Sequence, residues 1–481
     1  MLTFLALVYL ARTLGVEGFG RISFAQAIIV YFALLTHLGL MTLGTREIAR
    51  DHGQIRVQVG LILSLRIALT IFSFLLLVIF ALLVRQATEV TVLIVLFGLT
   101  LFPASLILDW AFKGVERMEF VGLIEGIRSV FFIVPILLLV KRPSDIFRVP
   151  ILLLVSTMLA ALCLAFVFSK WHGRISLGIN WRWWKSTLLQ ALPLGLAFMM
   201  VQVYYFTDTV MLGFMKGEAA VGWYSAGYKI ILFIQGLGGL FFESTFPVVS
   251  RFYQQAPEKL QGMIEDSVRL SAMLVIPLAV GGTVLAKPLV ETLYGPQYQN
   301  SVEPFRILLW SITVGIIGMN FGYSLMACNR DRQYMAAVLI GATANVILNL
   351  ALIPRLSLIG AATAKLCTEI LIFGFVFYGF MKVVRIRTAR YLLRPLVASA
   401  LMAAALLAFP GNLAEQIVLG MAVYFCVFFL ISGDERADFQ LFLQRLFSNE
   451  KSGESEMGGT AQEVSESVNS PCLPTGGSRH E

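Results

Sequence analysis

Long apolar runs joined by short charged connections constrain this chain more than any other feature. No ionisable residue falls between Arg66 and Arg85, and runs of roughly 18 or more apolar residues are long enough to cross a bilayer. Hydrophobic residues make up 58% of the 481 and charged residues only 14%, against about 25% charged in a soluble domain. A water-soluble fold would leave too much apolar surface exposed at that ratio. In lipid every backbone polar group must be paired within the protein, so only helices or closed barrels span. The runs lack the strict alternation of barrel strands, so the expectation is an all-α polytopic membrane protein.

Candidate spans fall at about 1–11, 22–42, 60–84, 90–108, 120–140, 149–168, 187–212, 223–245, 268–286, 305–326, 334–353, 357–380, 392–409 and 414–432. That is about fourteen transmembrane helices, the first one short. With the N-terminus in the cytoplasm, the inside connections carry 18 Lys and Arg and the outside ones 9. Positive charge collects on the cytoplasmic side, so both termini are expected there. The same rule accounts for the formal net charge of +8 without a nucleic-acid partner. Cys163, Cys328, Cys367 and Cys426 lie in or beside apolar runs, Cys472 lies in a polar tail, and no pair has metal-ligand spacing. Residues 433–481 read as a cytoplasmic tail, and the Gly-, Ser- and Glu-rich stretch from 450 as disordered and dispensable. No GxxxxGK[ST], HExxH or GxSxG motif occurs, so neither ATP-driven transport nor these catalytic classes are expected. Every connection is too short to hold a catalytic domain, which counts against a membrane glycan polymerase or ligase.

Sliding residues 15–38 along by 202 positions pairs Gly15 with Gly217, Gly20 with Gly222 and Ser23 with Ser225. The offset maps span 2 onto span 8, six spans later, so the two halves enter the membrane in the same direction. Parallel repeats of this kind build transporters with the substrate path between the halves. The expected organisation is an N-terminal lobe at 1–168, a C-terminal lobe at 187–380, and two additional helices at 392–432. Span 7 maps onto a first span that would begin before Met1, and Asp208 pairs with Ala6. Either the chain is truncated at its start or its first helix is a stub.

Ionisable groups within spans are functional candidates by default. Asp208 shares a helical stripe with Gln190, Pro193, Ala197, Tyr204 and Met211. It reads as a cavity-lining acid for a cation or proton, or as a structural acid paired with Lys229. In span 8, Ser225, Lys229, Gln235, Gly239 and Glu243 lie on roughly one stripe. Lys229 reads as a phosphate-binding point charge or as a snorkelling lysine. Gln26 and His37 share a face of span 2, where His37 either titrates or packs. Lys365 and Glu369 are spaced to pair along one helix face, as are Glu125 and Arg128. Asn345 with Asn349, and Asn320 with Ser324, read as interhelical hydrogen bonds. Arg66 and Arg306 read as snorkelling from span ends.

The segment ARTLGVEGFGRISFAQAIIVYFALLTHLGLMTLGTREIAR, residues 11–50, resembles the opening of bacterial and archaeal polysaccharide-biosynthesis flippases of the O-antigen type. These belong to the multidrug/oligosaccharidyl-lipid/polysaccharide flippase superfamily. Leu14, Gly15, Gly18, Phe19, Gly20, Gly39, Leu40, Thr45, Arg46, Glu47 and Arg50 carry the likeness. A second block, DTVMLGFMKGEAAVGWYSAGYKI, is similar to the start of the family's second lobe through Asp208, Leu212, Gly213, Gly222, Tyr224, Ala226, Tyr228 and Lys229. The resemblance covers roughly residues 1–380. It implies two six-helix lobes around a central cavity with alternating access, and a polyprenyl-pyrophosphate-linked oligosaccharide as cargo. It implies no cofactor, and a proton or sodium gradient as driver. The cell membrane is the implied location, with polysaccharide polymerase and glycosyltransferases as neighbours in the pathway. A drug/cation antiporter of the same fold is the rival reading and would need an acid-dominated cavity. The residues expected along the path are Arg46, Asp208 and Lys229, with His37, Gln26, Glu243, Lys365 and Glu369. Arg46, just past span 2, would meet an arriving pyrophosphate with its planar fork.

Overall fold

A computed structural model describes residues 2–431 except Arg85, Arg385 and Arg387. The tail expected at 433–481 and the Arg385 and Arg387 charges of the 381–391 connection therefore lie outside the described residues. Among the described residues, eleven helices are long and apolar enough to cross a membrane, or twelve when the bent pair Trp181–Leu196 and Phe198–Lys216 counts as one span. Two of the twelve turn back on themselves. The helix Asp331–Met381 would be about 76 Å long if straight, over twice a hydrocarbon core of about 30 Å. It breaks at Ser357 (φ 52°, ψ −123°), and the side chain of Ile372 meets Gly341 from the returning arm. The helix Leu2–His37 breaks at Gly15 (φ 72°, ψ −179°). Gly217, its mate at the 202-residue offset, has nearly the same dihedrals (φ 84°, ψ −178°) between Trp181–Lys216 and Glu218–Gln255. The left-handed φ at both corners favours glycine.

Counting each broken helix as two gives fourteen segments. Span 1 is 2–14 and span 2 is 16–37, which continues after a bend as Leu40–Arg50. Spans 3 to 6 are Ile55–Leu83, Thr88–Gly114, Met118–Leu139 and Pro143–His172. Spans 7 to 9 are Trp181–Lys216, Glu218–Gln255 and Pro257–Val284. Span 10 is Val302–Ala327, spans 11 and 12 are 331–356 and 358–381, and spans 13 and 14 are Thr388–Ala408 and Leu413–Ile431. Spans 1–6 and 7–12 form the two lobes. Spans 13 and 14 pack on the outside of span 9, where Tyr424 Oη donates to Met273 O at 2.7 Å.

The lobes meet where spans 1 and 2 cross span 8. A Cβ on Gly20 would stand 1.9 Å from Glu218 O. Beside this contact, Arg21 bonds Glu218 of the other lobe and Glu89 at the start of span 4. Tyr298 Oη, between spans 9 and 10, reaches Ala11 O at 2.9 Å. These ties close one end of the lobe boundary. Glu125 and Arg128 pair at 2.6 Å as expected. Asn320 reaches across to Ser271 at 3.1 Å, while Ser324 bonds back to its own helix.

Candidate functional site

At the opposite end of the boundary, spans 2, 4 and 7 enclose a cavity of about 650 Å³. Arg46, Lys113, His37 and Gln202 line it, and no carboxylate does. Arg46 sits on the helix Leu40–Arg50 rather than in a loop. Its side chain is 53% exposed and stands 3.6 Å from Glu47. Lys113 is held at 2.8 Å by Asp109.

His37 meets a group that the sequence placed wrongly. Span 3 begins at Ile55 rather than 60, so Arg66 lies about 17 Å along the helix and is fully buried. It does not snorkel. Span 4 is broken where Ile107 adopts an extended conformation (ψ 127°). Arg66 fills that break, donating to Ala104 O and Ile107 O at 3.0 Å each. Its Nη2 also lies 3.3 Å from His37 Nδ1. A guanidinium only donates, so Nδ1 accepts and the ring is the neutral Nε2–H tautomer. His37 is thus a neutral donor at the cavity wall, and its packing partner is a cation.

Lys229 does not pair with Asp208. On span 8 it lies seven residues after Gly222 and four before Phe233, which puts all three within about 40° of one another around the helix. Gly222 abuts Val16, and Phe233 stacks on Phe4 with centroids 5.0 Å apart. The half-buried Lys229 therefore faces the N-terminal lobe. Gln26 is also half-buried, on span 2. Glu243, read on the same stripe as Lys229, is exposed. It lies about 38 Å along span 8 from its start.

A second polar centre lies inside the C-terminal lobe. Asp208 is fully buried and accepts from Tyr224 Oη at 3.0 Å and Asn349 Nδ2 at 2.5 Å. Asn349 also donates to Asn345 Oδ1 at 3.0 Å. Lys365 and Glu369 do not form the intrahelical ion pair their spacing suggests. Tyr204 stands between them: its carbonyl accepts from Lys365 Nζ at 3.1 Å, its ring lies 3.2 Å from that nitrogen, and its hydroxyl donates to Glu369. Tyr204 appeared in the sequence only as part of the Asp208 stripe. Asn349 was read as a helix contact, and its spacing to Asn345 held no clue that it would reach Asp208. Spans 1 and 2 offer Ala6 and Ile22 at the positions equivalent to Asp208 and Tyr224, so the centre belongs to one lobe alone.

The family described as polysaccharide biosynthesis protein matches residues 1–253, more than half of the chain. The chain belongs to that family. A second family, MatE, matches residues 193–351 of this member. A relative named "Putative O-antigen transporter" in Escherichia coli (strain K12) is 25% identical over 381 residues, which cover 77% of this chain and 91% of that protein. "Probable flippase AglR" of Haloferax volcanii is 28% identical over 168 residues, covering 34% of this chain and 35% of the relative. Among solved structures, the lipid II flippase MurJ in an inward closed conformation has the same fold. Its TM-score is 0.74 at 16% identity, with 90% of this chain and 96% of that chain covered. An inward-facing multidrug resistance MATE transporter follows at TM-score 0.63 and 16% identity, over 79% and 94%.

Proposed function

We propose that this protein is a flippase that carries lipid-linked oligosaccharide, a polyprenyl-pyrophosphate-linked glycan, across the cytoplasmic membrane by alternating access. The observation that carries the reading is the sign of the cavity between the lobes. Arg46 and Lys113 line it, and no carboxylate does. Phosphate oxygens seek such groups, whereas a drug cation would meet only Asp109 and Glu47, each already beside one of these bases. Lys229, facing the lobe boundary about 17 Å along its helix, extends the basic path inward. An apolar groove of about 440 Å³ between the C-terminal lobe and spans 13 and 14, lined by Met273, Leu278, Met402 and Tyr424, suits the prenyl chain. Transport is conformational, so no covalent step is assigned, and an ion gradient drives the cycle. Both termini face the cytoplasm, and the polymerase and glycosyltransferases of the same polysaccharide act before or after this step.

The test is surface glycan display normalised to the amount of flippase in the membrane. Arg46→Lys keeps charge but loses the fork, and Lys229→Gln removes the charge. Both are expected to lower display per molecule. Normal display in both variants overturns the basic path.

A further inference from the structure

Inside the C-terminal lobe, two carboxyls stand against one ammonium. Asp208, Lys365 and Glu369 are all buried, at 0%, 3% and 8% exposure. An unbalanced charge in such surroundings costs several kcal/mol even after relaxation. The cluster at rest therefore needs one more positive charge. We propose that Glu369 is the loading site of the coupled ion and that this ion is a proton. The inference rests on the reading above, that a gradient drives the flippase, and names where the gradient acts.

The geometry separates the roles of the two acids. Asp208 has a donor on each oxygen, Tyr224 on Oδ2 and Asn349 on Oδ1. Hydrogen bonds to a carboxylate favour its charged form, so Asp208 is the standing counter-ion of Lys365. Glu369 takes the Tyr204 hydroxyl on Oε1 and lines a cavity of about 220 Å³. Its carboxyl faces span 10, with Oε2 3.2 Å and Oε1 3.3 Å from where a Cβ on Gly315 would stand. Gly318 and Gly322 continue that open wall. A proton arriving through the cavity binds a carboxylate oxygen of Glu369 and leaves from the same carboxyl when the lobe rearranges.

The groups around Glu369 support a proton over a metal cation. Span 7 contributes Tyr204, Tyr205 and Asp208. Span 8 contributes Tyr228 and Gln235, span 11 Tyr334, and span 12 Lys365. Span 10 adds Tyr323 at the far wall. The Lys365 ammonium already sits over the Tyr204 ring at 3.2 Å, with Tyr205 5.0 Å and Tyr228 5.9 Å away. A metal ion beside it would meet a second cation. Tyr205, Gln235, Tyr323 and Tyr334 offer the cavity neutral oxygens only; apart from Glu369 its lining has no carboxylate to offset a metal ion's charge.

Difference infrared spectroscopy of the full-length protein in lipid vesicles, stepped in pH, reads the carboxylic acid C=O stretch directly. Wild type is expected to show a titrating buried-carboxyl band that is absent in Glu369→Gln and returns, shifted, in Glu369→Asp. Replacing sodium by choline at constant ionic strength should leave the band unchanged. A band that persists in Glu369→Gln, or that sodium rather than pH erases, overturns the proposal. If Glu369→Gln fails to reach the membrane, an unshifted band in Glu369→Asp overturns it equally. The readout needs no cargo. The band therefore stands even if glycan display proves independent of Arg46 and Lys229, and it can be lost while display still depends on them.

Discussion

Gly20 and Gly222 are mates across the lobe boundary: a Cβ on Gly20 would stand 1.9 Å from Glu218 O, and one on Gly222 2.1 Å from Val16 O. Residues 16 and 218 are themselves 202 apart, so each half presses the same backbone carbonyl against the other's glycine. The repeat that the sequence shows as a few matched glycines is, in space, a two-fold contact that closes one end of the path.

Gly222→Val should hold that end open. Backbone on the facing side cannot step aside as a side chain could, so the lobes must part. Overpacking of about 1–3 kcal/mol corresponds to roughly a 5- to 150-fold shift in population. In a Gly222→Val background, Lys229→Cys should react faster with an impermeant maleimide from outside the cell than it does alone. Equal rates would show that the glycine contact does not gate the path.

Arg21→Gln should do much less. The side chains of Arg21, Glu218 and Glu89 are 25%, 23% and 54% exposed, so water still reaches this part-buried cluster and screens it, leaving a contribution on the order of 1 kcal/mol. The same labelling assay is expected to give at most a few-fold change. A larger effect than that of Gly222→Val would reverse the ranking of latch and glycine contact.

Lys365→Met should lower the amount of folded protein more than Asp208→Asn does, because it strands a buried carboxylate at a penalty of about 3–5 kcal/mol, whereas Glu369 can still balance Lys365 once Asp208 is gone. The double variant strands neither and should recover much of the loss. Membrane abundance and thermal aggregation in detergent measure this. Additive losses in the double variant would mean that the two charges do not interact.

Asp331→Cys, at the connection between spans 10 and 11, is expected to label only after cells are permeabilised. Glu303→Cys, at the start of span 10, is expected to label in intact cells. Both positions are exposed. The opposite pattern would invert the orientation drawn from loop charge.

Spans, their number and the parallel repeat were legible because lipid leaves the backbone few choices and apolar runs advertise length. The glycine corner at Gly15 was visible through its match with Gly217. What escaped the sequence is how charges find partners across helices. Spacing along one helix suggested that Lys365 would pair with Glu369, yet Tyr204 from span 7 intervenes. An apolar boundary drawn five residues late made Arg66 look peripheral. The sequence of Thr88–Gly114 carries no proline at its break, and Pro103 lies four residues before it. Arg66, which bonds the carbonyls at the Ile107 break, is a neighbour that local pattern does not reveal.

That break sets an order of assembly. During biosynthesis, span 3 would present Arg66 to lipid at an insertion penalty of about 2.5–3.5 kcal/mol. Span 4 would present the Ile107 carbonyl without its guanidinium donor, at a cost of several kcal/mol in a hydrocarbon setting. Alone, each segment is a poor candidate for release into the bilayer. Together, the guanidinium and the carbonyl cancel each other's defect, so the two segments should leave the insertion machinery as a pair.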